Sequence, residues 1–422
     1  MKINQLYIEN YKNLRDFRLD LSNSINNKIL LIGKNGSGKS NLIEAITEIF
    51  ISFYSRKDTN FSYLLDSIYN GQLNHLSNKT REEVRVSHLG VGLSYSPNLV
   101  VLYSGTTKRL EKVIHEQENL FMEYMASLGK LNWLMPVYYV TPELFPFLFI
   151  YLLSFEKGSQ LSEFIEKKIG INNFTRIELS IEKKSTLREP AKSLYQKLRE
   201  HYKLSGNDDK IILATNEDLM NLKDLFGYEY DLYTALDWLY RAGCLKVNSI
   251  ELLINHSSQL DFMDLSEGEK QLITIYAVSE LFSNNQTLFL LDEPDSFLHP
   301  TWQIDLISEI NLINSNQQFL ITTHSPIMLP HVRKENVFII DKGEIINSPY
   351  TYGRDFDSIL NEAMGVNVYV DDIENDFDTI FNLIEEEKYN EAENILIKLS
   401  KLMGEDDKRI TRANSIIEFE RD

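Results

Sequence analysis

Residues Leu30–Ser40 read LLIGKNGSGKS, and no other stretch constrains the chain as tightly. Gly33, Gly38, Lys39 and Ser40 match the spacing G-x-x-x-x-G-K-S. Lys28–Gly33 predicts a short buried strand. Lys39–Phe50 sets Leu42, Ile43, Ile46, Ile49 and Phe50 at helical spacing. Strand, glycine loop and helix form an arrangement that wraps a phosphate. Glycines let backbone N–H groups turn inward, and the helix N-terminus adds partial positive charge. The candidate ATP-binding residues are therefore Gly33, Lys34, Asn35, Gly36, Ser37, Gly38, Lys39, Ser40 and Asn41. Lys39 is expected to reach the β- and γ-phosphates, and the Ser40 hydroxyl to hold Mg²⁺. The fold class that follows is α/β around a P-loop.

A second stretch, QTLFLLDEPDSFLHP, spans Gln286–Pro300. Leu288–Leu291 is an unbroken apolar run of the kind found in a central parallel strand. Asp292 closes that strand, where a carboxylate sits beside the phosphate loop at the sheet's switch point. It is the second candidate Mg²⁺ ligand. Glu293 follows and is the candidate base for an attacking water. An acidic strand end is by itself as readily a solvated turn; the P-loop favours the functional reading.

Two further motifs lie around this strand. DLSEGEKQL, Asp264–Leu272, precedes it, and FLITTHSP, Phe319–Pro326, follows. Ser266-Glu267-Gly268-Glu269 resembles the signature of ABC-type ATPases, and His324 is similar to that family's switch histidine. P-loop, signature, LDEP and TTHS stand in the family's order. The resemblance implies that Ser266, Gly268 and Glu269 cap a nucleotide held by the P-loop of a second copy. It thus implies a head-to-tail homodimer with two ATP molecules at its interface. It also implies a glutamine loop, for which Gln72, Gln117 and Gln160 are the candidates. VVLYSG, Val100–Gly105, reads as a strand and turn at the place where that loop belongs.

The opening INQLYIENYKNLRDFRLDLS resembles the RecF, SMC and OLD branch, in which two short strands precede the P-loop. Transporter ATPases usually read Ser-Gly-Gly-Gln at the signature and have a shorter span before it. Long heptad runs are absent, and a single cysteine, Cys244, excludes a zinc hook. No run of strands follows Asn336–Ile345, so no appended nuclease is expected; Asp376 and Asp378 read as a solvated helix start. VLYSG, YYVTPELFPFLFIYLLS and TYGRDFDSILNEAMGV are similar to the PtuA-like group, the ATPases of Septu systems and of some retrons. That likeness implies an anti-phage regulator whose DNA-cutting partner is a separate PtuB-like HNH nuclease, with a reverse transcriptase and msDNA as further partners. The rival reading is a RecF-like repair ATPase that binds DNA when ATP is bound.

The expected organisation is an ABC-ATPase head, a mixed sheet flanked by helices, carrying an insert and a tail. Residues 1–105 form an N-terminal lobe and 106–258 a mostly helical insert. Residues 259–350 return to the head, and 351–422 form a helical tail. Within this plan, 61–105 reads as strands, and Lys108–Leu128 as a helix with Leu110, Val113, Ile114, Leu120 and Phe121 apolar. Leu144–Phe155, LFPFLFIYLLSF, is too short to span a membrane and reads as a buried element. No signal-peptide core opens the sequence, so a cytoplasmic location is expected.

A net charge of −19 repels nucleic acid at long range. The most basic stretch, Lys183–Lys203, suits a nucleic-acid backbone by charge alone, but reads more readily as a solvated helix face. In the tail, Phe377, Ile380, Phe381 and Ile384 form one apolar stripe. Ala392, Ile395, Leu396 and Leu399 form another, and Ile410, Ala413 and Ile417 mark a third helix. These stripes suit burial on the chain's own domain as well, but are expected to serve partner docking or oligomerisation, since they follow a complete ATPase core.

Overall fold

The computed structural model describes residues 2–55, 57–69, 71–78, 98–103, 111–128, 134–156, 158–184, 186–256, 258–283, 286–312, 317–346, 348–365 and 370–421. Residues Met1–Arg354 form one compact unit and Asp355–Asp422 a second. Parts of the expected strands over 61–105, and the start of the helix expected from Lys108, lie outside the described residues.

The first unit opens with β1 (Lys2–Tyr11) and β2 (Leu14–Asp20), followed by β3 (Lys28–Ile32) and α1 (Lys39–Ser55). Next come β4 (Tyr63–Tyr69), β5 (Gln72–Ser77), β6 (Asn98–Tyr103), α2 (Glu111–Leu128) and β7 (Val137–Val140). β1 and β2 meet in an antiparallel hairpin whose last pair is Tyr11 with Leu14. Lys12 in its turn takes φ +55°, which few side chains adopt. The hairpin joins β4 and β5 in the antiparallel order β2-β1-β4-β5.

The middle of the chain holds α3 (Phe145–Leu153), α4 (Gln160–Phe164), β8 (Ile171–Glu182), α5 (Ala191–His201), β9 (Asp208–Leu213), α6 (Asn216–Phe226), α7 (Glu229–Arg241), β10 (Leu245–Ile254) and β11 (Ser258–Asp261). The insert was expected to be mostly helical. Among the described residues it contains helices α2 to α7 and most of an antiparallel sheet of order β11-β10-β8-β9. Ile177, Leu179 and Ile181 on β8 and Ile250 and Leu252 on β10 are buried. They supply the apolar alternation that a half-covered sheet needs. α3 is a helix buried at every position except Pro146 and Leu153. It packs against α7 and against α8 (Glu267–Leu281). No helix of the described residues is long and apolar enough to cross a membrane.

The unit closes with β12 (Thr287–Asp292), α9 (Pro300–Leu312), β13 (Gln318–Thr323), β14 (Val337–Asp341) and β15 (Glu344–Ile346). A seven-stranded sheet of order β15-β14-β3-β13-β12-β6-β7 gathers elements from both ends of the unit. All its neighbours are parallel except the β14–β15 pair. β12 and β13 are buried at every position, as strands covered on both faces must be. Alternate residues feed different cores. Ile29, Leu31, Leu99, Val101, Leu288, Leu290 and Leu320 join Leu42, Ile46 and Ile49 of α1 and Ile3, Leu6, Phe17 and Leu65 of the antiparallel sheet. This packing anchors α1, and with it the loop at its N-terminus. In α2, Ile114 and Phe121 are buried as expected, but Leu120 is exposed.

A buried polar cluster joins β7, α7 and α2. Tyr138 donates to Asp237, and Arg241 donates to both carboxylate oxygens of Asp237 and to Glu118. The two carboxylates hold the Arg241 guanidinium charged despite its burial.

The second unit contains α10 (Phe356–Met364), α11 (Asp371–Glu385), α12 (Tyr389–Met403) and α13 (Lys408–Arg421). Phe377, Ile380, Ile384, Ala392, Leu396, Leu399, Ile410, Ala413 and Ile417 form one core. The stripes expected to dock a partner therefore pack on one another. Three amphipathic helices have enough apolar surface to cover each other's faces.

Candidate nucleotide site

The parallel register brings the chemistry to one edge of the seven-stranded sheet. Leu31 pairs with Thr322, and Thr322 pairs with Asp292. The loop after β3, the end of β13 and the end of β12 are therefore neighbours, although more than two hundred residues of chain separate β3 from β12. β6 lies on the other side of β12, with Tyr103 beside Asp292.

The loop Gly33–Gly38 connects β3 to α1. Gly33, Ser37, Gly38 and Lys39 are buried, whereas Lys34, Asn35 and Gly36 are exposed. A Cβ on Gly33 would stand 2.2 Å from the Ile340 carbonyl oxygen. One on Gly38 would meet the Leu14 side chain at 2.9 Å. The backbone thus passes where no side chain fits. The Lys39 Nζ donates to the carbonyl oxygens of Gly33 (2.8 Å) and Lys34 (3.3 Å). Burial pushes its pKa down to about 8, against the pull of Glu293, Asp292 and Asp295. A cation held so close to the loop, with three carboxylates nearby, suits an anion that arrives with its own countercharge.

Asn13, in the β1–β2 turn, braces this loop. Its Nδ2 donates to the Gly36 carbonyl at 3.0 Å, and its Oδ1 accepts from Asn41 Nδ2 at 2.6 Å. Just before it in the chain, Lys12 pairs with Glu44 of α1 and Tyr11 donates to Glu48 at 2.6 Å. The hairpin is therefore fastened to the helix that begins with Lys39.

Ser40 Oγ lies 3.3 Å from Asp292 Oδ1. The same carboxylate oxygen accepts from Thr322 Oγ1 at 2.6 Å. Burial raises the Asp292 pKa, while those two hydroxyls oppose the shift. Glu293 takes φ +49°, a left-handed conformation that costs an ordinary residue about 1–2 kcal/mol. Its N–H donates to both the carbonyl and the hydroxyl of Thr322. Its side chain reaches the next strand's end, where Oε1 lies 3.1 Å from His324 Nε2. Burial lowers the His324 pKa, as does Lys39, and Glu293 opposes both. Asp295 is buried; its Oδ2 accepts from Thr323 Oγ1 at 2.7 Å, and its Oδ1 has no hydrogen-bond partner.

The signature residues form a helix start. Ser266 is the N-cap of α8, and Ser266 and Glu269 exchange hydrogen bonds as a capping box. Glu269 thus has a local partner in its own chain. Gly268 is required by close approach, since a Cβ there would lie 2.7 Å from the Phe297 carbonyl oxygen. The signature helix therefore packs directly against the turn that follows Asp292.

The structure brings Gly33–Ser40, Asp292, Glu293 and His324 together in one place. Reading by motif passed over Asn13, Thr322, Thr323 and Asp295. TTHS and DEPD contained the last three, but only strand pairing reveals what they touch. None of the glutamine-loop candidates lies at the C-terminal edge of this sheet. Gln72 is on β5, Gln117 is buried in α2 and Gln160 opens α4.

The chain is 22% identical over 404 residues to "Retron Ec83 probable ATPase" of Escherichia coli, covering 83% of this chain and 73% of that protein. It is 22% identical over 394 residues to "Retron Vc95 probable ATPase" of Vibrio cholerae serotype O1 biovar El Tor, covering 81% and 74% respectively. It is 22% identical over 433 residues to "Septu protein PtuA" of Bacillus mycoides (strain KBAB4), covering 94% of this chain but 50% of that protein. Residues 2–345 match the family described as RecF/RecN/SMC N terminal domain. With its phosphate loop, acidic strand end and strand-end histidine gathered on one parallel sheet, the chain belongs to the RecF/RecN/SMC family.

Proposed function

We propose that this chain binds and hydrolyses ATP and acts as the regulatory ATPase of an anti-phage defence system. The observation that carries the first part is the convergence of Lys39, Ser40, Asp292, Glu293 and His324 at one sheet edge. In this reading Gly33–Asn41 wrap the triphosphate, and the Lys39 ammonium exchanges the loop carbonyls for phosphate oxygens. Ser40 Oγ and Asp292 Oδ1 converge closely enough to hold one hard cation, directly or through water. Mg²⁺ bound there would neutralise charge on the β- and γ-phosphate oxygens. Glu293 accepts the proton of the attacking water, and His324 orients Glu293 and faces the γ-phosphate.

The reading extends to a head-to-tail pair of chains. Ser266 and the exposed N–H groups at the start of α8 would then cap the γ-phosphate held by the second copy. The helix start offers a hydroxyl and partial positive charge for this. Glu269 keeps Ser266 in its capping geometry. Loss of the γ-phosphate removes the charge that holds the two chains together.

The defence role rests on the likeness to the retron and PtuA proteins. The proposed partner is an HNH nuclease encoded nearby, with a reverse transcriptase and msDNA where the system is a retron. A RecF-like repair role is the second reading, favoured by the family match. Co-expression with neighbouring genes, followed by mass photometry with and without ATP, separates the two. A nuclease that co-purifies and whose DNA cleavage responds to ATP supports the defence reading. Salt-steep, ATP-dependent DNA binding by the chain alone, with no nuclease partner, supports repair instead.

A further inference from the structure

We propose that Gln303 is a positioning residue that ties the turn after Asp292 to the loop carrying His324. Through it, the signature end of α8 and the switch end of β13 are mechanically joined. The proposal rests on the ATPase reading above and names a control within it.

Gln303 lies in the first turn of α9. Its Nε2 donates to the carbonyl oxygens of Asp295 (3.2 Å) and Leu298 (3.0 Å). Its Oε1 accepts from Ser325 Oγ at 2.5 Å. Ser325 N–H donates to Thr323 Oγ1 at 2.8 Å, and Thr323 Oγ1 donates to Asp295 Oδ2 at 2.7 Å. These bonds close a ring through Asp295, Thr323, Ser325 and Gln303, with His324 held between two of its members. A carboxamide suits this place because it offers two donors and an acceptor at once. Glutamate lacks the donors, and lysine lacks the acceptor.

The same turn has a second neighbour. Phe297 presents its carbonyl oxygen to Gly268, with no room for a Cβ between them. A shift at the signature must therefore move the 295–298 turn, and Gln303 carries that motion to Ser325 and His324. In the proposed pair of chains, the signature serves the second copy's ATP and His324 serves its own. Gln303 then links the two nucleotide sites within one chain.

Steady-state ATP turnover of wild type, Gln303→Leu, Ser325→Ala and the double variant tests this. The wild type should hydrolyse ATP with a Hill coefficient above one. Each single variant should lose about tenfold in kcat, with KM changed by less than about twofold and cooperativity lost. The double variant should fall no further than Gln303→Leu, because both substitutions cut one path. Gln303→Glu, which retains an acceptor for Ser325, should recover little because it cannot donate to Asp295 and Leu298. Wild-type kcat in the single variants overturns the proposal, as do single-variant losses that multiply in the double variant. A rise in KM matching the fall in kcat also overturns it. Should Gln303→Leu fail to fold, Ser325→Ala alone carries the kcat and cooperativity test. A wild type that turns over no ATP overturns the ATPase reading, and this proposal with it.

Discussion

The Nε2 of His324 lies 3.1 Å from Oε1 of Glu293, across the ends of two adjacent parallel strands. The pair is half-exposed and lies near Lys39, so in the proposed hydrolysis a proton taken by Glu293 would have a neighbouring ring to stabilise it. The backbone at Glu293 is left-handed. Replacing Glu293 by glutamine keeps the shape and removes the base. Phosphate release should fall by about a hundredfold or more, and the ATP-bound pair of chains should accumulate in mass photometry. Wild-type phosphate release from Glu293→Gln would refute the assignment.

Lys39 is the cation against the loop carbonyls. Lys39→Ala should weaken binding of a fluorescent ATP analogue by about a hundredfold, as the loss of a charged hydrogen-bond donor predicts. The melting temperature without nucleotide should change little. Unaltered affinity would place the triphosphate elsewhere.

Asn13 reaches the phosphate loop from the hairpin turn and bonds to both Gly36 and Asn41. Asn13→Ala should leave the fold intact and lower ATP affinity by about tenfold, since two hydrogen bonds that hold the loop in shape are lost. Isothermal titration against the wild type measures this. Equal affinities would reduce the hairpin to a purely structural brace.

Arg241 is almost fully enclosed between Asp237 and Glu118. Arg241→Leu leaves the buried Asp237 carboxylate without its countercharge and should destabilise the first unit by about 3–5 kcal/mol in denaturant titrations. Pairing it with Asp237→Asn should restore part of that loss. A neutral effect of Arg241→Leu alone would mean that water reaches the cluster.

Glu178 gives a pH-dependent test away from the site. Hydrogen bonds from Lys210, Arg176 and Asn248 bring its pKa down from 4.5 to about 2. A carboxylate with a lowered folded pKa adds stability that is complete above its unfolded value and is lost as pH falls through the folded one. The gap in urea midpoint between wild type and Glu178→Gln should therefore close as pH drops from about 5 to about 2. The effect should be small, because the group lies at the surface. A gap that widens on acidification would contradict the sign.

The P-loop was legible because its strand, glycines and helix are contiguous, so spacing alone carries the geometry. The acidic end of β12 was legible for the same reason, as six successive buried positions end in Asp292, with Glu293 next in the chain. Thr322, Thr323, Asp295 and Asn13 are single polar residues whose meaning depends on what lies across a strand gap. The sheet inside the insert was not legible, because β8 and β10 pair across three intervening helices and with register shifts along their pairing. The tail's stripes were read correctly as apolar faces, but which surface covers them is a question of packing.

Local covalent order decided the phosphate loop, the acidic strand end and the capped signature helix, because the residues that define each stand within a few positions of one another. Strand order decided the rest. Placing β13 between β3 and β12 sets Thr322 against Asp292, His324 against Glu293 and Asp295 against Thr323. Long-range pairing selects those neighbours by burying apolar faces on both sides of the sheet. The polar residues at the strand ends meet as a consequence of that burial, and their own spacing in the chain carries no trace of it.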